Sequence, residues 1–240
     1  MLSLLFIDSE TLVDLTRLPL PVLQIGLVGI WLGLVGLISE SLYLTKAVSV
    51  EITRKVVHIG AGNVILLAWW LQTPAWMGVA ASILFSLVAL ASYWLPILPG
   101  INSVGRTSLG TFFYAVSIGV LTVAFWARGQ AEFTVLGILI MTWGDGMAAI
   151  VGQALGRHPY TVWTMTKSWE GTSAMLLVSL IISGLVLGSV HGFVPTMAAI
   201  ALLTAISATV LESFSRWGFD NLTVPLGSSF LAYGLWQWWG

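Results

Sequence analysis

The 240-residue chain is 58% hydrophobic and 8% charged, carries a formal net charge of −1 and contains no cysteine. A soluble domain has ~25% charged residues, so this inventory cannot build a water-facing surface and lipid must be the solvent. The charge balance leaves no electrostatic footprint for nucleic acid, and the missing cysteines exclude disulfides, thiolate metal sites and cysteine nucleophiles.

The N-terminal stretch holds Asp8, Glu10 and Asp14 before Arg17. Signal and transit peptides are basic at that point, so insertion through the chain's own helices is expected. A spanning helix needs about 20 mostly apolar residues. That ruler predicts spans over 20–38, 56–71, 75–95, 109–127, 133–151, 173–190, 195–211 and 222–239. The second and last are short. The reading is therefore an all-α, polytopic transmembrane helix bundle of seven or eight spans, one integral membrane domain over 1–240. Alternate loops hold Lys46, Arg54, Lys55, Arg106, Arg157, Lys167 and Arg216, against Arg17 and Arg128 on the other side. Basic residues mark the cytoplasmic face, which also receives the longer loops. Trp69, Trp70, Trp76, Trp94 and Trp126 sit at predicted span ends, as an aromatic belt requires. His191 falls in a short opposite-side turn and is assigned no role.

Five polar clusters interrupt the apolar background. Glu51, Arg54, Lys55 and His58 open the second span, and spacings of three and four put Glu51, Lys55 and His58 on one helical face. The basic groups there suit a phosphate, and the spacing also suits a local Glu51–Lys55 pair. Next, Gly105-Arg106-Thr107-Ser108-Leu109-Gly110-Thr111, with Tyr114 a turn later, reads as an anion cradle at a helix start or as an ordinary hydroxyl cap.

The third cluster, Trp143-Gly144-Asp145-Gly146-Met147-Ala148-Ala149, is the most informative. Asp145 lies inside a predicted span, where a carboxylate is costly and by default functional. Its helical neighbours Ala148, Ala149, Gly152 and Gly156 are small, so a second helix or a ligand packs against them. The fourth, Thr166-Lys167-Ser168-Trp169-Glu170-Gly171-Thr172, follows the loop Arg157-His158-Pro159-Tyr160. Its hydroxyl and Glu170 read as a helix cap, whereas Lys167 is out of place at that helix end unless an anion binds. In the fifth, Glu212, Arg216 and Asp220 repeat at four-residue spacing, as two helical ion pairs would, before Asn221 and Pro225.

No P-loop, Gly-x-Gly-x-x-Gly fingerprint, zinc-binding His-Glu-x-x-His pair or nucleophile elbow is present. What remains on the predicted cytoplasmic side is acid with base. Asp145, Glu170 and Asp220 suit Mg²⁺, and Arg106, Arg157 and Lys167 suit phosphates. Phosphoryl transfer needs metal, cations and a positioned hydroxyl. The residues themselves thus point to a membrane site for a phosphorylated ligand.

In order along the chain, Arg54-Lys55-Val56-Val57-His58-Ile59, Arg106-Thr107-Ser108-Leu109-Gly110-Thr111 and Gly144-Asp145-Gly146-Met147-Ala148-Ala149 are followed by Gly152 and Gly156-Arg157-His158. Lys167-Ser168-Trp169-Glu170-Gly171 and Asp220-Asn221-Leu222-Thr223-Val224-Pro225 complete the set. Together they resemble the phytol kinase and dolichol kinase family of CTP-dependent lipid-alcohol kinases, over about residues 50–230. The short chain looks more like a bacterial or cyanobacterial phytol kinase than a eukaryotic dolichol kinase.

The resemblance implies transfer of the γ-phosphoryl of CTP to an isoprenoid alcohol drawn from membrane lipid, such as phytol, farnesol or geranylgeraniol. It implies Asp145, Lys167, Glu170 and His58 as catalytic residues, and Mg²⁺ held by Asp145 and Glu170 with Asp220 as a further ligand. Arg54, Lys55, Arg106, Ser108, Gly110, Gly144, Gly146, Gly156, Arg157, Ser168, Gly171 and Asn221 would line the nucleotide and its phosphates. The implied site lies at the cytoplasmic face of a bacterial inner membrane, or of a thylakoid if the source is cyanobacterial, where a tocopherol pathway would use the product.

The block 144–171 is also similar to phosphatidate cytidylyltransferases. Their Lys-Arg…Lys-Asp run near the C-terminus is absent, which favours the kinase. A small-anion transporter would suit the intramembrane charge, but transporters usually show matching halves, and neither the Asp145 nor the Lys167 motif has a second copy. A non-catalytic assembly subunit leaves that carboxylate unexplained.

Overall fold

A computed structural model describes residues 20–45, 48–92 and 109–240 of the chain, including all but the edges of the predicted spans. Arg17, Lys46, Trp94, Arg106, Thr107 and Ser108 lie outside the described residues. Among the described residues ten α-helices and one short hairpin follow each other: α1 (Leu20–Thr45), α2 (Val50–Gly62), α3 (Val64–Trp70), α4 (Ala75–Ala91), α5 (Gly110–Ala124), α6 (Ala131–Leu139), α7 (Gly146–Leu155), β1 (Pro159–Val162), β2 (Met165–Ser168), α8 (Trp169–His191), α9 (Pro195–Ser213) and α10 (Asp220–Trp239). A π-helical segment, Ile140–Asp145, joins α6 to α7, so these form one rod. With α2 and α3 taken together across Asn63, eight rods stand where eight spans were predicted. Five of them are long and apolar enough to cross a membrane: Leu20–Thr45, Gly110–Arg128, Ala131–Leu155, Trp169–His191 and Pro195–Ser213. The chain is a helical membrane protein.

The rods differ in their surroundings. In the apolar window of the α6–α7 rod 61% of residues are buried, against 11% for α1, so the former is the central helix and the latter a peripheral one. Phe133, Leu136, Ile138, Ile140 and Met141 of the central rod are fully enclosed with Met175 and Leu187 of α8, Ile200 and Ala208 of α9, and Val224 and Ala232 of α10. The outer surface keeps large apolar side chains such as Leu37, Phe85, Ile181 and Trp70 exposed, a pattern stable only against lipid.

Between helices in lipid the hydrophobic effect is weak, so hydroxyl-to-carbonyl bonds and close approach of small residues hold the bundle. Thr134 donates to the Leu121 carbonyl at 2.9 Å, and Ser229 to the Phe133 carbonyl at 2.7 Å. α1 is fastened by Gln24 donating to the Leu71 carbonyl at 2.9 Å and Trp31 donating to the Gly60 carbonyl at 2.7 Å. Pro225, inside α10, has no N–H for the carbonyl four residues back, that of Asn221. The Ser117 hydroxyl of α5 reaches that carbonyl instead, at 2.9 Å, and shares its proton with the Tyr114 carbonyl, also at 2.9 Å.

The stretch read as a loop around Pro159 and Tyr160 is instead an antiparallel hairpin. Tyr160 pairs with Lys167 and Val162 with Met165. Thr161, Val162, Thr164 and Thr166 are β-branched and favour extended backbone. Trp163 opens the two-residue turn at φ 55°, a left-handed conformation that no turn signature announces in the sequence.

Candidate active site

The π-helical segment sets the geometry. It adds a residue to one turn of the central rod, and such segments are often found at functional sites. Thr142 donates to the Ile138 carbonyl at 2.6 Å, so its hydroxyl accepts from Tyr114, 2.7 Å away. α2 crosses this segment closely. A Cβ on Gly62 would fall 2.1 Å from the Thr142 hydroxyl oxygen, and one on Gly146 would fall 2.7 Å from the Ile59 side chain. Only glycine lets the two backbones approach to this degree.

This contact delivers Lys55 and His58 to Asp145. The Lys55 ammonium lies 2.5 Å from Asp145 Oδ2, with both groups buried. His58 Nε2 lies 3.8 Å from the same oxygen and has no hydrogen-bond partner of its own. The His58 ring rests 5.1 Å from the Tyr114 ring. The local Glu51–Lys55 pair expected from spacing does not form, because Lys55 faces the bundle. Glu51 pairs with Arg54 at 2.5 Å.

A second ion pair joins β2 to the end of α9. Lys167 reaches Glu212 Oε1 at 2.6 Å and also donates to the Glu212 backbone carbonyl. The hairpin explains its reach. Tyr160 and Lys167 are cross-strand partners, and Tyr160 bonds Thr172 of α8 at 2.6 Å while Lys167 bonds α9. Glu212 and Asp220 feel the charges of both Asp145 and Lys55, so the two ion pairs and Asp220 form one electrostatic cluster.

The helical pairs expected among Glu212, Arg216 and Asp220 are also absent. α9 ends at Ser213, and a turn with Trp217 at φ 55° and Gly218 at φ 85° separates it from α10. Arg216 lies over the Trp217 and Trp163 rings, with its guanidinium carbon 4.8 and 5.8 Å from their centroids.

The remaining sequence-selected residues divide by role. Ser168 caps α8 by accepting from the Gly171 N–H at 3.1 Å. Gly152, Gly156 and Gly171 let β2 and the start of α8 seat on α7: a Cβ at Gly171 would meet the Ala148 carbonyl at 2.7 Å. Gly144 likewise faces Met175 and Ser179 of α8. The small-residue face beside Asp145 is therefore filled by protein. Glu170, in the first turn of α8, holds the residue that precedes the hairpin, with its carboxylate 2.6 Å from the exposed His158 ring. Arg157 is exposed beside it, and Gly110 is buried at the start of α5. Asn221 donates to Asp220 Oδ1 and to the Gly218 carbonyl. Among the described residues no three His, Asp or Glu side chains converge as a metal cage.

Sequence reasoning did not place Tyr114 with Thr142 or Glu212 with Lys167. His191, given no role, stands 3.5 Å from Glu132 and 4.9 Å from the Trp236 ring at the other end of the bundle.

No family model and no solved structure matches the chain. A phytol kinase of Synechocystis sp. is 49% identical over 219 residues, covering 91% of this chain and 94% of the relative. Phytol kinase 1 of Arabidopsis thaliana, a chloroplastic protein, is 30% identical over 217 residues, covering 81% of this chain and 69% of the relative. At this identity and coverage, the chain belongs to the phytol kinase family.

Proposed function

We propose that the chain is a CTP-dependent kinase that phosphorylates phytol and related isoprenoid alcohols at the cytoplasmic membrane face. The alcohol oxygen attacks the γ-phosphorus of CTP, the bond from that phosphorus to the β-phosphate oxygen breaks, and phytyl monophosphate and CDP leave. Phosphoryl transfer asks a protein mainly for positioning and charge stabilisation, not covalent chemistry.

The observation that carries this reading is the buried Lys55–Asp145 pair beside His58, sunk into the central rod of a phytol kinase relative. A buried ion pair is a poor stabiliser, so its presence calls for a role in chemistry. Lys55, Lys167, Arg54 and Arg157 supply cations for the triphosphate. The acceptor for the hydroxyl proton comes from His58 Nε2 and Asp145 Oδ2, which already face one another at 3.8 Å.

Mg²⁺ usually takes one or two carboxylates and completes its shell with phosphate oxygens and water. Asp145 and Asp220, neighbours in charge within the cluster, fit that need better than a closed protein cage would. Glu170, bound to His158, serves at the hairpin edge. The ion would neutralise charge building on the β- and γ-phosphate oxygens.

The test is purified protein in lipid with phytol, Mg²⁺ and CTP labelled on the γ-phosphate. Labelled lipid monophosphate with CDP supports the kinase. Release of pyrophosphate from CTP when a lipid phosphate is the acceptor means a cytidylyltransferase, and no turnover with either acceptor removes both.

A further inference from the structure

Lipid-facing grooves cut the bundle surface among the described residues, and two are of similar size. One, about 500 Å³, runs between α8 and α9 toward Phe193, Val194 and Pro195, away from the charged cluster. The other, about 510 Å³, is bounded by α3, the π-helical segment and α8. It is lined by Leu66, Trp69, Leu139, Trp143, Ile182 and Val186, among others, and ends near Ser189. Its floor is firm: Leu139 and Val186 are buried in the core. Its rim is open to lipid at Ile181 and Leu185.

The three walls run in the same sense. Along α3 the lining goes from Leu66 to Trp69, away from Asn63 and the Lys55 and His58 end of α2. Along the central rod it goes from Trp143 back to Leu139, away from Asp145. Along α8 it goes from Val178 to Ser189. At the near end Trp143 donates to Asn63 at 2.9 Å, two residues before Asp145 in the central rod. From Val178 to Ser189 the groove follows helix for about 16 Å, at about 1.5 Å per residue.

Resting on the kinase reading above, we propose that this groove holds the isoprenoid chain of the acceptor alcohol, with the hydroxyl beyond Trp143 at Asp145 and the tail toward Ser189. The occupant is an uncharged apolar chain with one polar end. The groove presents no charged side chain along its length, and the cluster begins where the groove stops. The groove between α8 and α9 lacks that second property and takes ordinary lipid. Groove length makes α8 a ruler: residues near Ser189 touch long alcohols only.

The experiment has two arms. In the first, Ser189→Trp, on the lipid-facing rim of this groove alone, is assayed against geraniol, farnesol, geranylgeraniol and phytol. Leu202→Trp, on the outer face of α9, is the control. The expected result is a tenfold or greater fall in kcat/KM for phytol and geranylgeraniol, with geraniol within twofold of the parent protein and the control unchanged. An equal fall for all four alcohols, or no fall for any, overturns the proposal. In the second arm, an isoprenoid alcohol carrying a diazirine at its tail is photolysed with the unmodified protein in lipid vesicles. Cross-links should concentrate on residues 182–189 and disappear with excess phytol. Cross-links spread over all lipid-facing helices, matching those of a diazirine fatty acid, overturn the groove whatever the assay gives. Concentrated cross-links without any phosphorylation leave the groove standing and remove the kinase reading.

Discussion

Lys55 and Asp145 are ninety residues apart in sequence and 2.5 Å apart in the fold, both buried in an apolar bundle. Breaking such a pair by removing one charge leaves the other uncompensated, at about 3–5 kcal/mol, whereas replacing both by apolar groups is often neutral. Asp145→Leu is therefore expected to lower the unfolding midpoint in detergent sharply. The double variant Lys55→Met with Asp145→Leu should recover most of that loss, and neither protein should turn over CTP. Recovery of stability without activity separates a chemical role from a structural one. Near-normal activity in Asp145→Ala would refute the role given to this carboxylate.

Lys167 joins the hairpin to the C-terminal end of α9 through Glu212. A cation at that end is favoured by the helix dipole, so a structural account of Lys167 exists beside the phosphate-binding one. The two differ in what they move. Lys167→Met is expected to raise the apparent CTP constant at least tenfold, about 1.4 kcal/mol, while phytol binding stays unchanged. A fall in thermal midpoint with an unaltered CTP constant would assign Lys167 to the scaffold alone.

Ser117 and Pro225 make a compensated defect. The proline leaves the Asn221 carbonyl without its helical donor, and the Ser117 hydroxyl takes its place. Ser117 is fully enclosed, so Ser117→Ala leaves that carbonyl unsatisfied, at about 1–3 kcal/mol. Restoring the N–H with Pro225→Ala in the same chain should return part of the lost stability. Additive losses in the double variant would show that the Ser117 bond has no such role.

The fold and part of the site were legible because their signals are local. Span length, the position of Asp145 within a span, and the glycines around it depend on nothing outside their own segments. The partners of charges were not legible. Lys55 has Glu51 one turn back and reads as its mate, but the rotation of α2 against the π-helical segment turns Lys55 inward. Glu212, Arg216 and Asp220 keep helical spacing through a stretch that is not helical, because Trp217 adopts a left-handed backbone without being glycine. The hairpin is four residues a side, too short for a periodic signal, and it decides where Lys167 goes. Each failure concerns a rotation or a turn fixed by tertiary packing.

The absence of cysteine makes orientation directly measurable. Basic residues gather at the loops that border Lys55, Arg157, Lys167 and Arg216, so that face should be cytoplasmic. Thr161 on the hairpin and Ala127 beside Arg128 are both exposed, and the rod from Ala131 to Leu155 crosses once between them. In bacterial cells making Ala127→Cys, a membrane-impermeant maleimide added outside should label the protein. Thr161→Cys should label only after the membrane is opened. The reverse pattern would put the charged cluster outside, away from any cellular nucleotide, and the kinase reading would go with it. Labelling of both from the same side would mean that the rod carrying Asp145 does not cross at all.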